Sequence, residues 1–192
     1  MVDMVDGVRV IENFYNDPYD VRSLALASDF EVKGNYPGLR TEARDEDHRG
    51  YLKTFLEGIL DDKITHFIGG YNTAFQFTTE NDTTWVHHDD TVWAGIIYLT
   101  PNAPVESGTI ICRHQRTGIS MWDPNNPITD FNYSPTETND LTKWDRILTI
   151  GNVFNRLVLY RGTYYHRSDV AGFGKDKYDG RLFQTFFFDT EN

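Results

Sequence analysis

From about residue 71 onward the chain is a succession of short β-branched and aromatic segments, and this pattern restricts the fold more than any other feature. The segments are 71–79, 84–88, 93–100, 108–114, 156–161, 163–166 and 181–189. Turn-forming stretches separate them: Pro101-Asn-Ala-Pro104, Arg161-Gly162 and residues 176–180. Short strands spaced by turns predict an antiparallel sandwich or barrel. Residues 123–140 are polar, rich in Pro and Asn, and without periodicity. They read as a long loop, and loops of that length usually carry function or move.

The N-terminal part has a different period. Residues 8–14 read as a first strand. Asp17-Pro18 opens a helix, because Asp suits the N-cap and Pro the first helical position. Val21, Leu24, Ala25 and Ala27 form its apolar face. Asn35-Tyr-Pro-Gly38 predicts a turn. A second helix is expected from about Glu46 to Leu60, where Leu52, Phe55, Leu56, Ile59 and Leu60 make an amphipathic stripe. Asp61-Asp62 and Gly69-Gly70 close this region. The expected organisation is one domain over residues 1–192, mainly β with N-terminal helices: a helical buttress at 1–70 and a β core at 71–192. One domain is the default at this length.

Charge narrows the partners. The net charge is −11, from 18 basic and 29 acidic residues, and no long basic run occurs. Phosphate backbones need clustered Lys and Arg, so a nucleic-acid partner is disfavoured. The 15% aromatic content excludes a mostly disordered chain. The single cysteine, Cys112, lies in an apolar stretch and reads as a core residue; with no intrachain disulfide to form, a reducing compartment is expected. No apolar run reaches membrane-span length, and residues 1–7 carry acids without a basic region. The expected location is cytoplasmic.

The segment Trp85-Val-His87-His88-Asp89-Asp90 carries the chemistry. On a strand, His-x-Asp puts an imidazole and a carboxylate on one face. Two histidines and a carboxylate on one face of iron(II) leave the other face open. The segment holds two overlapping copies, His87-x-Asp89 and His88-x-Asp90. Taken alone, metal binding and a solvated polar strand end stand about level. His166, in Tyr164-Tyr165-His166-Arg167, is the natural third ligand. The remaining histidines read more simply: His48 and His114 as solvated, His66 as a cap of the second helix, His88 as facing away from His87. Trp93, Trp122 and Trp144 read as core or loop anchors.

The order of His-x-Asp, Trp93-Ala-Gly-Ile-Ile-Tyr98-Leu-Thr100, Gly108-Thr-Ile-Ile, His166 and Arg181-Leu-Phe-Gln-Thr185-Phe-Phe-Phe188-Asp189 resembles the 2-oxoglutarate/iron(II) dioxygenase superfamily, nearest its prolyl-hydroxylase-like branch. The resemblance covers residue 71 to the C-terminus. It implies a double-stranded β-helix, a jelly-roll, cupin-like barrel. It implies His87, Asp89 and His166 as iron ligands, Arg181 as the partner of the far carboxylate of 2-oxoglutarate, Tyr98 on the same carboxylate, and Thr185 facing that pocket. An Arg fork suits a carboxylate. Arg161 and Arg167 are rivals for that role. Asp89 implies hydroxylation rather than halogenation, since halogenating relatives lack the carboxylate. Two features depart from the superfamily: the spacing from His166 to Arg181 is wide, which a long hairpin would absorb, and Phe183 stands where Ser or Thr is common. The implied substrate is a peptide side chain or a small molecule. Two other readings are a cupin-like metal enzyme that does not use 2-oxoglutarate and a non-catalytic β-barrel binding module.

Overall fold

Among the described residues, ten strands and three α-helices follow one another. They are β1 (Val8–Ile11), α1 (Pro18–Ala27), β2 (Leu39–Arg40), α2 (Glu46–Leu60), β3 (Ile64–Phe67), β4 (Phe75–Thr78), β5 (Trp93–Tyr98), β6 (Thr109–His114), α3 (Pro135–Thr138), β7 (Trp144–Ile150), β8 (Leu157–Arg161), β9 (His166–Ser168) and β10 (Arg181–Thr190). The structure is a computed structural model and describes residues 7–44, 46–67, 72–131 and 134–191. The Gly69-Gly70 boundary and the first six residues of the acidic N-terminus lie outside the described residues. Among those described, no helix is long and apolar enough to cross a membrane.

All strand pairing is antiparallel. The major sheet runs β1-β8-β5-β10-β4-β2, with β3 also on β10; the minor sheet runs β7-β6-β9. A barrel needs hydrogen bonding that continues around to the first strand. Here the major sheet ends at β1 and β2, and the minor sheet is separate. The expected barrel is therefore corrected to two sheets that do not close.

Strand alternation sorts the side chains into layers. In β10, Leu182, Phe186 and Phe188 enter the cluster that holds Leu52 and Leu56 of α2 and Ala25 of α1. Trp93, Ile97, Leu157 and Leu159 join them, so both helices buttress one face of the major sheet. The alternate residues Ala94, Ile96, Tyr98, Val158, Tyr160 and Phe183 pack with Ile111 and Ile150 of the minor sheet. A third cluster, Val86, Ile110, Cys112, Phe131, Trp144 and Tyr165, holds the 115–143 segment to the minor sheet. Cys112 is buried there, as expected.

Other expectations change. Residues 84–88 form no strand, only a single bridge from His87 to His166. Strands β2, β3 and β7 were not anticipated; β2 is two residues long, too short to show alternation. Leu24 and Phe55 are more than a third exposed, because each helix buries a narrower stripe than its pattern suggests. The described residues of the 123–140 segment contain one 3-10 turn (Pro127–Thr129) and α3, a second 3-10 turn (Leu141–Lys143) follows, and Phe131 packs into the third cluster. The connection from β9 to β10 is no hairpin: β9 belongs to the minor sheet and β10 to the major. Thr78 Oγ1 donates to Ala171 O (2.8 Å) and Glu80 N to Gly174 O (3.0 Å), which ties this crossing to the end of β4.

Phe186 is fully buried between α2 and the major sheet. Phe186→Ala is expected to cost about 3–5 kcal/mol in urea unfolding, the range for large-to-small core changes. Tyr178→Ala, at a position 61% exposed, is expected to stay within about 0.5 kcal/mol.

Candidate metal and anion site

His87 and His166 face each other across a two-hydrogen-bond bridge. His87 N donates to His166 O (3.0 Å) and His166 N to His87 O (2.8 Å). Residues opposed in this way project to the same face, and the two imidazole centroids lie 4.4 Å apart. Asp89 follows His87 by two residues and returns to that face; its amide is fixed on Gly162 O (2.8 Å). Ligand-type atoms of His87, Asp89 and His166 all lie within 4.8 Å of one another.

The ring orientations suit metal binding. His87 Nδ1 donates to Trp85 O (3.1 Å) and His166 Nδ1 to Tyr164 O (2.8 Å). A carbonyl only accepts, so the proton sits on Nδ1 and the Nε2 lone pair remains for a ligand. Burial, with His166 alongside, pushes His87 down to about 4, so it is neutral at pH 7. Burial opposes ionisation of Asp89, but the three neighbouring histidines hold its carboxyl below the usual range. Its Oδ2 is buried, 3.4 Å from His166 Nε2, and has no hydrogen-bond partner. An acceptor orphaned beside two free imidazole nitrogens is what a divalent cation satisfies.

The cavity beside this group is lined by Thr109, Tyr160, Arg181, Phe183 and Thr185 among others. Arg181, Phe183, Thr185 and Phe187 alternate along β10 and share the face toward it. Arg181 is 2% exposed. Its Nε donates to Ser107 O (2.9 Å), and its guanidinium lies 4.5 Å from the Phe183 ring centroid and 5.4 Å from that of Tyr98. No carboxylate among the described residues lies within ion-pair distance of it. Burial lowers its pKa from the ordinary arginine value. Tyr98 is fully buried, with its hydroxyl on Thr109 Oγ1 (2.9 Å). Thr109 is the cavity-lining member of that pair. Thr185 Oγ1 donates to Ala74 O (3.3 Å).

Other candidates lie elsewhere. Asp90 is exposed, and His88 turns away from His87 to stack on Trp122 at 4.4 Å and 6°. The second His-x-Asp copy therefore does not converge on the cavity. Arg161 sits over Trp93 at 4.4 Å. Arg167 lines the cavity but donates to the backbone of Ser168 and Asp169 (2.8 and 3.3 Å). His114 is corrected from solvated to buried: it bonds Glu137 and Thr117, both at 2.9 Å. His48 is partly buried near Gln184. His66 is exposed in β3 rather than capping α2.

Sequence reading missed Tyr160, whose ring lies 4.5 Å from that of His166 and whose hydroxyl burial raises well above the usual range, helped by Asp89 and Tyr98. The alternation of Leu157-Val-Leu-Tyr160 carried that signal, since Tyr160 shares a face with Val158. Arg40, also in the lining, had no signal, because β2 is too short to have a pattern; Gln76, in the lining as well, lies in β4 within the segment 71–79.

Mn(II) at about 100 times its dissociation constant is expected to raise unfolding stability by about 2.7 kcal/mol. Asp89→Asn should remove that gain and Asp90→Asn should keep it, as read from melts with and without chelator.

Several solved structures share this fold. HygX from Streptomyces hygroscopicus, with nickel and 2-oxoglutarate bound, superposes with a TM-score of 0.63 at 12% identity over 95% of this chain and 82% of that one. A prolyl hydroxylase from Trichoplax adhaerens, in complex with a hypoxia inducible factor peptide fragment, gives 0.58 at 14% identity over 95% and 83%. A Pseudomonas putida prolyl-4-hydroxylase gives 0.51 at 13% over 95% and 91%. At these identities the likeness is one of fold, and the chain shares the fold of 2-oxoglutarate/iron-dependent oxygenases. No curated protein matches the sequence. A family model matches residues 4–188, and the chain thus belongs to the family of unknown function DUF6445.

Proposed function

We propose that this protein is a 2-oxoglutarate- and iron(II)-dependent oxygenase of the hydroxylase type, in which the two sheets form a double-stranded β-helix within one domain over residues 1–192. The observation that carries this reading is Arg181. A buried cation with no carboxylate partner is costly, and this one faces the same cavity as His87, Asp89 and His166. An anionic ligand that reaches both would offset that cost. The neighbours whose structures hold nickel or Fe3+ together with the keto acid support the choice of ligand.

In this reading His87, Asp89 and His166 hold iron(II). Bound iron and the keto acid supply the oxidising chemistry, which couples decarboxylation to hydroxylation of a C–H bond. Asp89 brings the single negative charge of the ligand set, and burial with His166 alongside keeps His87 neutral. The Arg181 fork receives the far carboxylate, with Ser107 O fixing its plane through Nε. Tyr98 and Phe183 wall the guanidinium from water and so strengthen its pull on an anion. Thr109 and Thr185 offer hydroxyls along the same wall, Tyr98 acting through Thr109. Tyr160, against His166, closes the remaining side. The substrate is a small molecule or a peptide side chain.

Anaerobic addition of 2-oxoglutarate to the iron(II)-loaded protein is expected to produce a weak visible charge-transfer band. Metal binding without that band would favour a cupin-like enzyme that does not use the keto acid; no metal binding would favour a binding module. Arg181→Met should weaken the keto acid by roughly a hundredfold or more, from about 3–5 kcal/mol for breaking a buried charge pair, with iron retention kept. His87→Ala should abolish iron retention and His48→Ala should not, by metal analysis after dialysis.

A further inference from the structure

We propose that the Tyr160 hydroxyl is a hydrogen-bond donor for the metal-held end of the anion that this cavity binds. This role rests on the oxygenase reading above only for the identity of the anion, the keto acid. Tyr160 lies in β8 and lines the cavity, 5% exposed. Its ring packs on that of His166 at 4.5 Å and 52°. The hydroxyl makes no hydrogen bond to any described residue.

Other phenols of the chain find protein partners, as enclosed polar groups do. Tyr15 donates to Gln184 Oε1, Tyr98 bonds Thr109 Oγ1 and Tyr165 donates to Thr129 O. Tyr160 departs from this pattern. A phenylalanine would pack on His166 equally well, and an enclosed hydroxyl costs free energy unless something accepts from it. Asp89 Oδ2 is likewise without a hydrogen-bond partner, although Asp89 lies within electrostatic reach of Tyr160. The donor and the acceptor thus do not satisfy one another. A cation held by His87, Asp89 and His166 answers the acceptor, and an anion bound to that cation answers the donor.

Strand register says which end of the anion Tyr160 meets. Along β10 the cavity-facing residues are Arg181, Phe183, Thr185 and Phe187. Phe183 lies opposite Tyr98 of β5, Thr185 opposite Ile96, and Phe187 opposite Ala94. Ala94 in turn lies opposite Tyr160. Tyr160 therefore belongs to the row of Phe187, three rows from Arg181, and rows on one face are about 7 Å apart. Its ring packs on His166, whereas the Arg181 guanidinium lies against Tyr98 and Phe183. The far carboxylate is thus served by a charge at one end of the sheet, and the chelating end by a neutral phenol at the other. A phenol gives direction without adding charge beside Asp89.

The test uses the full chain loaded with Mn(II) and two probes titrated by calorimetry. Oxalate chelates a metal as the head of the keto acid does but has no far carboxylate; 2-oxoglutarate has both ends. Tyr160→Phe, which keeps the ring, should weaken both probes about tenfold, the scale of one hydrogen bond to a charged acceptor. Arg181→Met should weaken 2-oxoglutarate and leave oxalate unchanged. The gain in melting temperature on adding Mn(II) should be the same in Tyr160→Phe as in the unaltered chain, which separates loss of a donor from loss of the metal. Undiminished oxalate binding in Tyr160→Phe, loss of its Mn(II) gain, or no binding of either probe to the unaltered chain would overturn the proposal. Oxalate that binds and depends on Tyr160, with no binding of 2-oxoglutarate, refutes the oxygenase reading alone and keeps the donor.

Discussion

A cation sealed inside a protein needs either a counter-charge or a ligand, and Arg181 makes that demand at the head of the longest strand. Strand β10 pairs with β3, β4 and β5, so its position is over-determined by three ladders. Its alternate residues are Leu182, Phe186 and Phe188, locked under the helices. That packing is why Arg181 cannot swing out to water. Rotating the strand by one residue would drive the cation into the apolar layer and the phenylalanines into the cavity. The hydrophobic face of β10 thus enforces the electrostatic character of the other face.

The minor sheet imposes a second constraint with different means. His87 belongs to no strand, yet one antiparallel bridge fixes it against His166. Carbonyls two residues upstream set both tautomers. Directly behind, His88 stacks on Trp122, and Tyr165 is buried with Phe131 and Trp144. The long 115–143 segment therefore acts as a back wall, anchored by buried His114 on Glu137. Rigid support behind a site keeps its groups in place without their making bonds to one another, and Asp89 Oδ2 stays unpartnered as a result.

The lining of the cavity includes Arg181 and Phe183 from β10 as well as Tyr36, Arg40 and Trp85. The helices take no part in the lining. They cover the opposite face of the major sheet, where Leu52 and Leu56 of α2 pack into the core cluster.

The sequence alone determined the elements whose patterns are long enough to repeat. The α2 stripe, the alternation of β5 and β10, and the His-x-Asp spacing follow from local geometry, in which side-chain direction depends only on position along a helix or strand. Arg181 and Thr185 were legible as residues of one face for the same reason. The tertiary structure decided what no local period encodes. It paired His87 with His166 across the gap between segments, left the sheets open rather than closed, and buried His114 against expectation. It also brought Arg40 to the cavity from a strand of two residues. Which residues meet across sheets depends on register and burial summed over the whole chain, and that information is held in contacts between distant segments rather than in any one of them.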